Sequence, residues 1–310
     1  MKAVRCTPAG IRLTEVGQQA TEGVHVTVTH IGICGTDLGF AGSGCSHEVT
    51  LGHEIAGLLD DGTPVAIEPL LPCERCGACR GGMYNLCESG LWLGGTVDGG
   101  MTEEIFVPER CLVPLADGVS LADACLAEPL AVALHGLRRG GVSGSESVAV
   151  IGAGTIGLMA AAGAVALGCN VEVVARYPHQ RRIVERLGAR SEPRPSGAEV
   201  AIAAAPGAAC VEAATEAVIF GGRVIVLNEP HEPFVPPLAV LKEATVITSL
   251  AYAGESPRDI ESAMALLGQN PVLASLITDR FGLSEAERAF AVAGDRGSGA
   301  IKVVLETGAA

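Results

Sequence analysis

The chain has 310 residues, room for two domains, and 48% of them are hydrophobic, so it can bury enough apolar surface to fold and is not intrinsically disordered. Thirty-five acidic residues outnumber 21 basic ones, which gives a net charge of −14. Such a charge repels phosphate backbones and anionic lipid surfaces, so we expect neither nucleic acid nor a membrane as a partner.

The first part of the chain has the pattern of strands and loops. Residues 24–29 alternate apolar and polar side chains with the period of a half-buried strand, and Pro or Gly interrupts the chain every few residues as far as Pro114. Helical periodicity begins near Leu121, where Ser120 can cap the first predicted helix. We therefore predict strands and loops, with few helices, in this part of the chain.

Strands and helices alternate from residue 148 onwards, which predicts a parallel sheet covered by helices on both faces. Residues 147–171 are uncharged and long enough to span a bilayer, but five glycines divide them into a strand, a tight turn and a helix. We therefore predict a buried strand–helix unit there. The predicted strands are 148–151, 171–175, 200–204 and 223–227, and the predicted helices are 155–167, 179–187 and 208–219.

The pattern changes again after residue 237. Ser256 precedes a proline and is predicted to cap a helix that ends near Gly268. Ser284 and Glu287 have the spacing of a capping box, and residues 301–305 are predicted to form a closing strand. Together with the central alternation, these elements predict an α/β fold.

Four of the eleven cysteines fall within fifteen residues, in the pattern Cys-x2-Cys-x2-Cys-x7-Cys. Four thiolates suit a tetrahedral zinc ion and leave no open position for substrate, so this site is predicted to be structural. The cysteine count is odd and no apolar signal segment opens the chain, so we expect free or metal-bound thiols in a reducing cytoplasm and no disulfide framework. The predicted ligands are Cys73, Cys76, Cys79 and Cys87.

A glycine-rich G-x-G-x-x-G motif occupies residues 152–157, between an apolar predicted strand and a predicted helix. This context is typical of dinucleotide binding, because the glycines allow a tight turn and let the backbone approach a pyrophosphate at the helix N-terminus. The motif therefore predicts a nucleotide site. The residues expected to contact the cofactor are Gly152, Gly154, Thr155, Ile156 and Gly157.

The end of the next predicted strand favours NADP as the cofactor. An NAD site usually has Asp or Glu at this point to bind the ribose 2′-hydroxyl, but here Ala175 and Arg176 follow the strand. Arg181 and Arg182 come shortly afterwards, and a cationic group without a carboxylate suits a 2′-phosphate. The alternative is a solvated basic start to a helix, which leaves NAD open.

Two further motifs precede the cysteine group: Gly-Ile-Cys-Gly-Thr-Asp at residues 32–37 and Gly-His-Glu at residues 52–54. With the cysteine group and the glycine loop, they occur in an order that is highly specific. In this order the sequence resembles the zinc-containing medium-chain dehydrogenase/reductase family, particularly its sorbitol-, threonine- and glucose-dehydrogenase-like branch. Residues 100–104 and 128–136 extend the resemblance over essentially the whole chain. It implies a GroES-like β-rich catalytic domain, formed by 1–120 and completed by 254–310, and a Rossmann doubly wound parallel sheet over 121–253.

The resemblance also implies a catalytic zinc site. Cys34 and His53 take the positions of zinc ligands, and Glu128 takes the place at which the alcohol-dehydrogenase branch has a cysteine. Glu54 would be a neighbour of the ligands or an exchanging ligand, so the third protein ligand stays open between the two carboxylates. Asp37 would orient the His53 ring.

Three further residues are assigned roles in less detail. Thr36 matches the hydroxyl residue that starts the family's proton relay. His135 lies about two helical turns from Glu128, roughly 10 Å along the axis, so we expect packing or a cofactor-side contact and not ligation. Trp92, like Phe40, would either face the substrate or pack the cysteine lobe onto the core.

We therefore expect a cytoplasmic zinc-dependent alcohol or polyol dehydrogenase with two zinc ions per chain. It would transfer a hydride between a polar secondary alcohol, or its ketone, and NADP(H) or NAD(H). The expected partners are the small-molecule substrate and further copies of the chain, in a homodimer or homotetramer. The alternatives are a zinc-free-type reductase of activated double bonds and a non-catalytic zinc- and nucleotide-binding sensor.

Overall fold

The computed structural model describes residues 1–17, 22–43, 45, 48–227, 237–254 and 257–308. The chain divides into a discontinuous unit, Met1–Glu128 with Ala253–Ala310, and an inserted unit, Pro129–Tyr252. The inserted unit thus begins at Pro129, later than the expected residue 121. The reason is that a buried 3-10 turn, Ala124–Leu126, packs against strands of the discontinuous unit.

Antiparallel strands dominate the first segment of the discontinuous unit. The alternation at residues 24–29 becomes a nine-residue strand whose Val26, Val28 and Ile31 side chains are buried in the core. The elements are β1 (Lys2–Thr7), β2 (Gly10–Glu15), β3 (Val24–Gly32), α1 (Gly35–Ser43), β4 (Val49–Thr50), β5 (Glu54–Leu58), β6 (Pro64–Ile67), β7 (Leu70–Leu71), α2 (Gly77–Arg80), β8 (Leu91–Trp92), β9 (Glu104–Val107) and β10 (Leu112–Pro114).

The boundary at Pro129 falls in the first turn of α3 (Ala127–Arg139), and the inserted unit contains a six-stranded parallel sheet in the order β13-β12-β11-β14-β15-β16. This is the strand order of a Rossmann fold, with the first strand, β11, near the centre. Its elements are β11 (Ser147–Ile151), α4 (Thr155–Ala166), β12 (Asn170–Val174), α5 (Pro178–Arg186), β13 (Arg190–Ser191), β14 (Ala198–Ala203), α6 (Ala208–Ala217), β15 (Val218–Val226), α7 (Pro237–Leu241) and β16 (Thr245–Thr248).

One prediction for this unit is confirmed and two are refined. The uncharged stretch 147–171 forms β11 and α4, and no helix among the described residues is both long and apolar enough to cross a membrane. The strand predicted at 223–227 begins at Val218, because Val218 pairs with Ala198 ahead of a register shift. The helix predicted over 208–219 therefore ends earlier, at Ala217.

The last segment returns to the discontinuous unit with α8 (Asp259–Gln269), β17 (Ile277–Gly282), α9 (Ala286–Gly294) and β18 (Lys302–Glu306). The predicted cap Ser256 lies outside the described residues. The capping box predicted for Ser284 and Glu287 is wrong by two positions, because the Gly282 amide donates to the Glu285 carboxylate.

The main sheet of the discontinuous unit has the order β10-β6-β5-β3-β18-β17, with β9 also paired to β3. Strand β3 therefore lies between β5 and β18. Gly32 is opposite Glu54 on one side and Val304 on the other. This register brings the residues that follow β3 and those that precede β5 to the same end of the sheet.

Cys6 and Cys45 form a disulfide, so the expectation that all cysteines are free or metal-bound is wrong for these two. The fold brings β1 close to Cys45, which follows α1, and the Cα atoms of Cys6 and Cys45 are 5.8 Å apart. The two residues are 39 positions apart in sequence, which is why their spacing gave no signal.

Candidate active site

The loop after β3 and the loop before β5 each supply one donor to a common cluster. Cys34 stands between β3 and α1, and His53 directly precedes β5. The ligand atoms of Cys34, His53 and Glu54 all lie within 4.8 Å of one another, with Cys34 half-buried and the other two buried. A sulfur, an imidazole and a carboxylate are donors that zinc accepts, so these residues fit a zinc ion.

Asp37, in the first turn of α1, organises this cluster. Its Oδ2 accepts a hydrogen bond of 2.9 Å from the Cys34 amide, and its Oδ1 lies 3.8 Å from Nδ1 of His53. At 3.8 Å these buried Oδ1 and Nδ1 atoms are too far apart for a hydrogen bond, and neither makes one to another atom of the described residues. Asp37 therefore faces one ring nitrogen of His53, the arrangement usual for a metal-ligating histidine.

The electrostatics of the cluster favour a cation. Burial lowers the pKa of His53, but the negative Asp37 and Cys34 outweigh it and hold that pKa well above its usual value. Burial raises the pKa of Glu128 to about 7, and the neighbouring Glu54 adds to this shift. Several acidic groups thus share one buried volume, and a bound cation would stabilise their charged forms.

Glu54 is fixed by a residue that the sequence reasoning missed. Both of its oxygens accept hydrogen bonds from Nζ of Lys302, at 2.6 and 2.7 Å, and a third bond of 2.9 Å joins Nζ to the Ile33 carbonyl. The group of mutually close donors contains Glu54 and not Glu128, although Glu128 is buried nearby at the start of α3. In the sequence, the only sign of this contact is a single lysine at the start of an apolar closing strand.

Two aromatic rings stand beside the cluster. The Trp92 and His53 ring centroids are 5.4 Å apart with an interplanar angle of 68°. Phe40 is stacked on Trp92 at 6.2 Å and 30°. Trp92 therefore borders the candidate metal site, whereas Phe40 contacts Trp92 and packs against the hydrophobic core.

The other sequence-predicted residues near the site are placed as follows. The exposed Thr36 has its Oγ1 3.8 Å from the Cys34 sulfur. His135 is buried in the inserted unit, and its Nδ1 is 2.9 Å from a guanidinium nitrogen of Arg138. It does not belong to the converging group of donors.

The four-cysteine lobe forms a second donor group. All four sulfur atoms lie within 4.8 Å of one another, and the short helix α2 begins beside Cys76, which accepts a bond from the Cys79 amide. The amides of Arg75 and Cys76 lower the pKa of Cys73 to about 6. Four converging thiols of this kind fit a tetrahedral zinc ion.

The glycine-rich loop after β11 has the backbone that its sequence predicts. Gly152 has φ of +112°, and a Cβ on Gly157 would lie 1.9 Å from the Gly152 carbonyl oxygen. A Cβ at Gly154 would instead meet no atom of the described residues within 4 Å, so among these residues nothing fills the space at the N-terminus of α4. Thr155 and Ile156 form the first turn of that helix, which fits a pyrophosphate.

The two predicted arginines differ in their surroundings. Arg181 is tied to the backbone, donating from Nε to the Ala175 carbonyl and from a terminal nitrogen to the Arg176 carbonyl, each at 3.1 Å. Arg176 itself is exposed just beyond β12. No carboxylate occurs in residues 175–182, so the only charges that this segment offers a ribose are positive.

The fold and these sites define a class of protein, the nicotinamide-dependent oxidoreductases built from a GroES-like unit and a Rossmann unit. The family described as "Alcohol dehydrogenase GroES-like domain" matches residues 20–117. The family described as "Pyridine nucleotide-disulphide oxidoreductase" matches residues 147–190, which contain the glycine loop.

Comparisons with individual proteins agree with this class. The chain is 30% identical to sorbitol dehydrogenase of Arabidopsis thaliana, a match covering 91% of this chain and 88% of the relative. It is 38% identical to L-galactonate-5-dehydrogenase of Escherichia coli, but that match spans only about half of each chain. The structure of a Sinorhizobium meliloti protein bound to NADP superposes with a TM-score of 0.85, at 26% identity, covering 98% of each chain.

The chain therefore belongs to the medium-chain dehydrogenase/reductase family, among its zinc-type alcohol and polyol dehydrogenases.

Proposed function

We propose that the chain is a zinc-dependent polyol dehydrogenase that transfers a hydride between a polar secondary alcohol, or its ketone, and NADP(H). The observation that carries this proposal is the convergence of the Cys34, His53 and Glu54 donor atoms within 4.8 Å. A zinc ion held there would supply Lewis acidity to a substrate hydroxyl oxygen.

The chain's own residues would prepare this site in two ways. Asp37, facing Nδ1 of His53, keeps the proton on that nitrogen and leaves Nε2 as a donor to the metal. Thr36, exposed and 3.8 Å from the Cys34 sulfur, would carry the substrate proton toward solvent. The third protein ligand would be a carboxylate, supplied by Glu54 in the converging group or by the neighbouring Glu128.

A second zinc ion would brace the lobe of Cys73, Cys76, Cys79 and Cys87. Four sulfur donors leave no open position, so this ion would hold the loop and take no part in the reaction. The expected content is about two zinc ions per chain.

The proposed cofactor preference is for NADP(H) over NAD(H). It is supported by the exposed Arg176 beyond β12 and by the lack of a carboxylate in residues 175–182. An arginine can bind a 2′-phosphate with two charge-assisted hydrogen bonds, whereas the 2′-hydroxyl of NAD would find no acceptor here.

The proposed substrate is a polyhydroxylated compound in which the reacting hydroxyl has an oxygen on the neighbouring carbon. The relatives named for sorbitol and L-galactonate support this class. The cation at the cluster, Lys302, has its ammonium bonded to Glu54 and to the Ile33 carbonyl. It is therefore not available for a substrate phosphate.

We also propose a homodimer or homotetramer that works in the cytoplasm, where the lobe thiols stay reduced. Strand β16 is the last in the sheet order, and exposed apolar side chains lie on it and near it, at Val246, Leu250 and Leu241. Within the described residues no further strand pairs with this edge, and a sheet edge with apolar neighbours is a usual association surface. Val246→Lys should lower the sedimentation coefficient toward that of a monomer. An unchanged coefficient would exclude this edge as the association surface.

The function is tested with matched substrates on the zinc-loaded protein. We expect reduction of NADP with a vicinal diol to exceed that with the corresponding mono-ol, and a chelator that removes zinc to abolish it. Cys34→Ala should be inactive. Equal or better turnover of simple primary alcohols would contradict the substrate class, and turnover that survives zinc removal would point to the zinc-free reductase.

A further inference from the structure

The disulfide lies on the stretch of chain that joins two proposed metal ligands. Cys45 follows Cys34 by 11 positions and precedes His53 by 8, and it is bonded to Cys6 of β1. Both bonded cysteines are buried, Cys6 completely and Cys45 to an exposure of 8%. The bond therefore ties the stretch between the ligands to a strand of the core.

Noncovalent contacts also hold this stretch to β1. The carbonyl oxygen of Phe40, in α1, lies 3.6 Å from the Cys6 sulfur. The Cys45 amide donates a hydrogen bond of 3.3 Å to the Thr7 carbonyl. Further along, β4 pairs with β1 so that Val49 is opposite Cys6. The disulfide is the one covalent bond among these contacts, so opening it leaves only the weaker ones.

Helix α1 connects the disulfide to the candidate metal site. The helix begins directly after Cys34, and its first turn carries Asp37. Asp37 accepts the hydrogen bond from the Cys34 amide and faces the His53 ring. The helix is nine residues long and ends two positions before Cys45. One end of α1 therefore organises the ligands, and the other end is next to the disulfide.

The oxidation state of this pair can change by thiol–disulfide exchange. Disulfides that occur in a reducing cytoplasm are usually redox-sensing or catalytic. A cellular dithiol would open the bond when one of its thiolates attacks the sulfur of Cys45, the more exposed partner, and the Cys6 thiolate leaves and takes up a proton. The second thiol of the reductant then displaces the Cys45 thiolate, which is protonated in turn. Both electrons come from the dithiol, which becomes a disulfide.

We propose that Cys6 and Cys45 form a redox-responsive clamp on the candidate metal site. As a disulfide they hold the stretch between Cys34 and His53 in place, and as thiols they free it and weaken zinc binding there. A cross-link between positions 39 apart removes conformational freedom from opened states of the chain, so its loss favours local opening of this stretch. The proposal rests on the proposed function for its metal and adds a regulatory input to it.

The first test follows the bond itself and needs no turnover. Zinc-loaded protein, in which metal protects the lobe cysteines, is equilibrated in glutathione buffers that range from mostly reduced to mostly oxidised. Free thiols are then alkylated and located by mass spectrometry. We expect Cys6 and Cys45 to change together from thiols to a disulfide across this range. Thiols that persist in the most oxidising buffer, or a bond that persists in the most reducing one, would overturn the proposal.

The second test measures how the bond affects the helix and the metal. Amides of residues 38–43 should exchange hydrogen at least about tenfold faster in Cys45→Ser than in the native disulfide form, because the cross-link no longer opposes opening. Zinc at the Cys34 site should pass to a competing chelator faster by a similar factor, while release from the four-cysteine lobe stays unchanged. Native protein reduced with a phosphine gives the same comparison without a substitution.

Cys169→Ser is the matched control, because Cys169 is a buried free cysteine of the inserted unit, and it should behave as the native chain does. Equal exchange in α1 and equal zinc release with the bond open and closed would overturn the proposal. A folded native chain that binds no zinc at Cys34 would instead refute the proposed function. The exchange rates of α1 would then still decide whether the disulfide clamps the helix.

Discussion

Replacing Lys302 by Met tests the strongest buried interaction around the candidate site. Glu54 is fully buried and Lys302 is 3% exposed, so the variant would leave a carboxylate in the core without its cation. Burial lowers the pKa of Lys302, but Glu54 outweighs burial and raises it, so the ammonium is charged at neutral pH. Breaking a buried pair from one side costs about 3–5 kcal/mol. At about 2–4 °C per kcal/mol, the midpoint of unfolding should fall by about 6–20 °C.

The assay is thermal unfolding of chelator-treated protein, so that bound metal adds nothing to the measured stability. Lys302→Arg keeps the cation and should be less destabilised than Lys302→Met. The double variant Lys302→Met with Glu54→Gln removes both charges and should be more stable than Lys302→Met alone. A loss below about 1 kcal/mol in Lys302→Met, or a double variant no more stable than the single one, would show that Glu54 does not depend on the Lys302 cation in the core.

Three other predictions concern the lobe, the cofactor and pH. Cys76→Ser should lower zinc content by one ion per chain and the unfolding temperature, measured by metal analysis and calorimetry, and an unchanged content would exclude the structural site. Arg176→Asp should weaken the binding of NADP at least about tenfold more than the binding of NAD, because a charge-assisted pair with the 2′-phosphate is lost. Equal losses of affinity for both cofactors would contradict the preference for NADP. A hydrogen bond to Asp60 raises the pKa of the partly exposed His25, so this histidine stabilises the fold below its unfolded pKa of about 6.5 and loses the effect as pH rises through its folded value. Denaturant unfolding of His25→Gln should therefore show a loss of up to about 1 kcal/mol near pH 5.5 and none near pH 9, and a loss that is equal at both would be contrary evidence.

Local motifs explain why much of this molecule could be predicted from its sequence. Three of these motifs each involve only residues that are close in sequence, so local sequence determines their geometry. They are the alternating pattern at 24–29, the glycine loop at 152–157 and the spacing of four cysteines. The structure also brings Cys34, His53 and Glu54 together, although they come from two separate motifs. That pairing was available only through the resemblance to a family.

Contacts between distant positions explain what could not be predicted. Lys302 reaches Glu54 across 248 positions, and the Cys6–Cys45 disulfide spans 39, so neither leaves a periodic or spaced signal in the sequence. The place of Trp92 depends on Gly95 leaving room for the indole and on the fold carrying β8 to His53. Such packing follows from tertiary structure and not from local preference.

The most direct test of the zinc-dependent mechanism combines metal analysis with turnover on the same preparations of the native chain and of Cys34→Ala. We expect about two zinc ions and NADP-dependent oxidation of a vicinal diol for the native chain. For a folded Cys34→Ala we expect one zinc ion and no oxidation. Undiminished oxidation of the diol by Cys34→Ala with one zinc ion would contradict the claim that the Cys34–His53 cluster holds the catalytic metal.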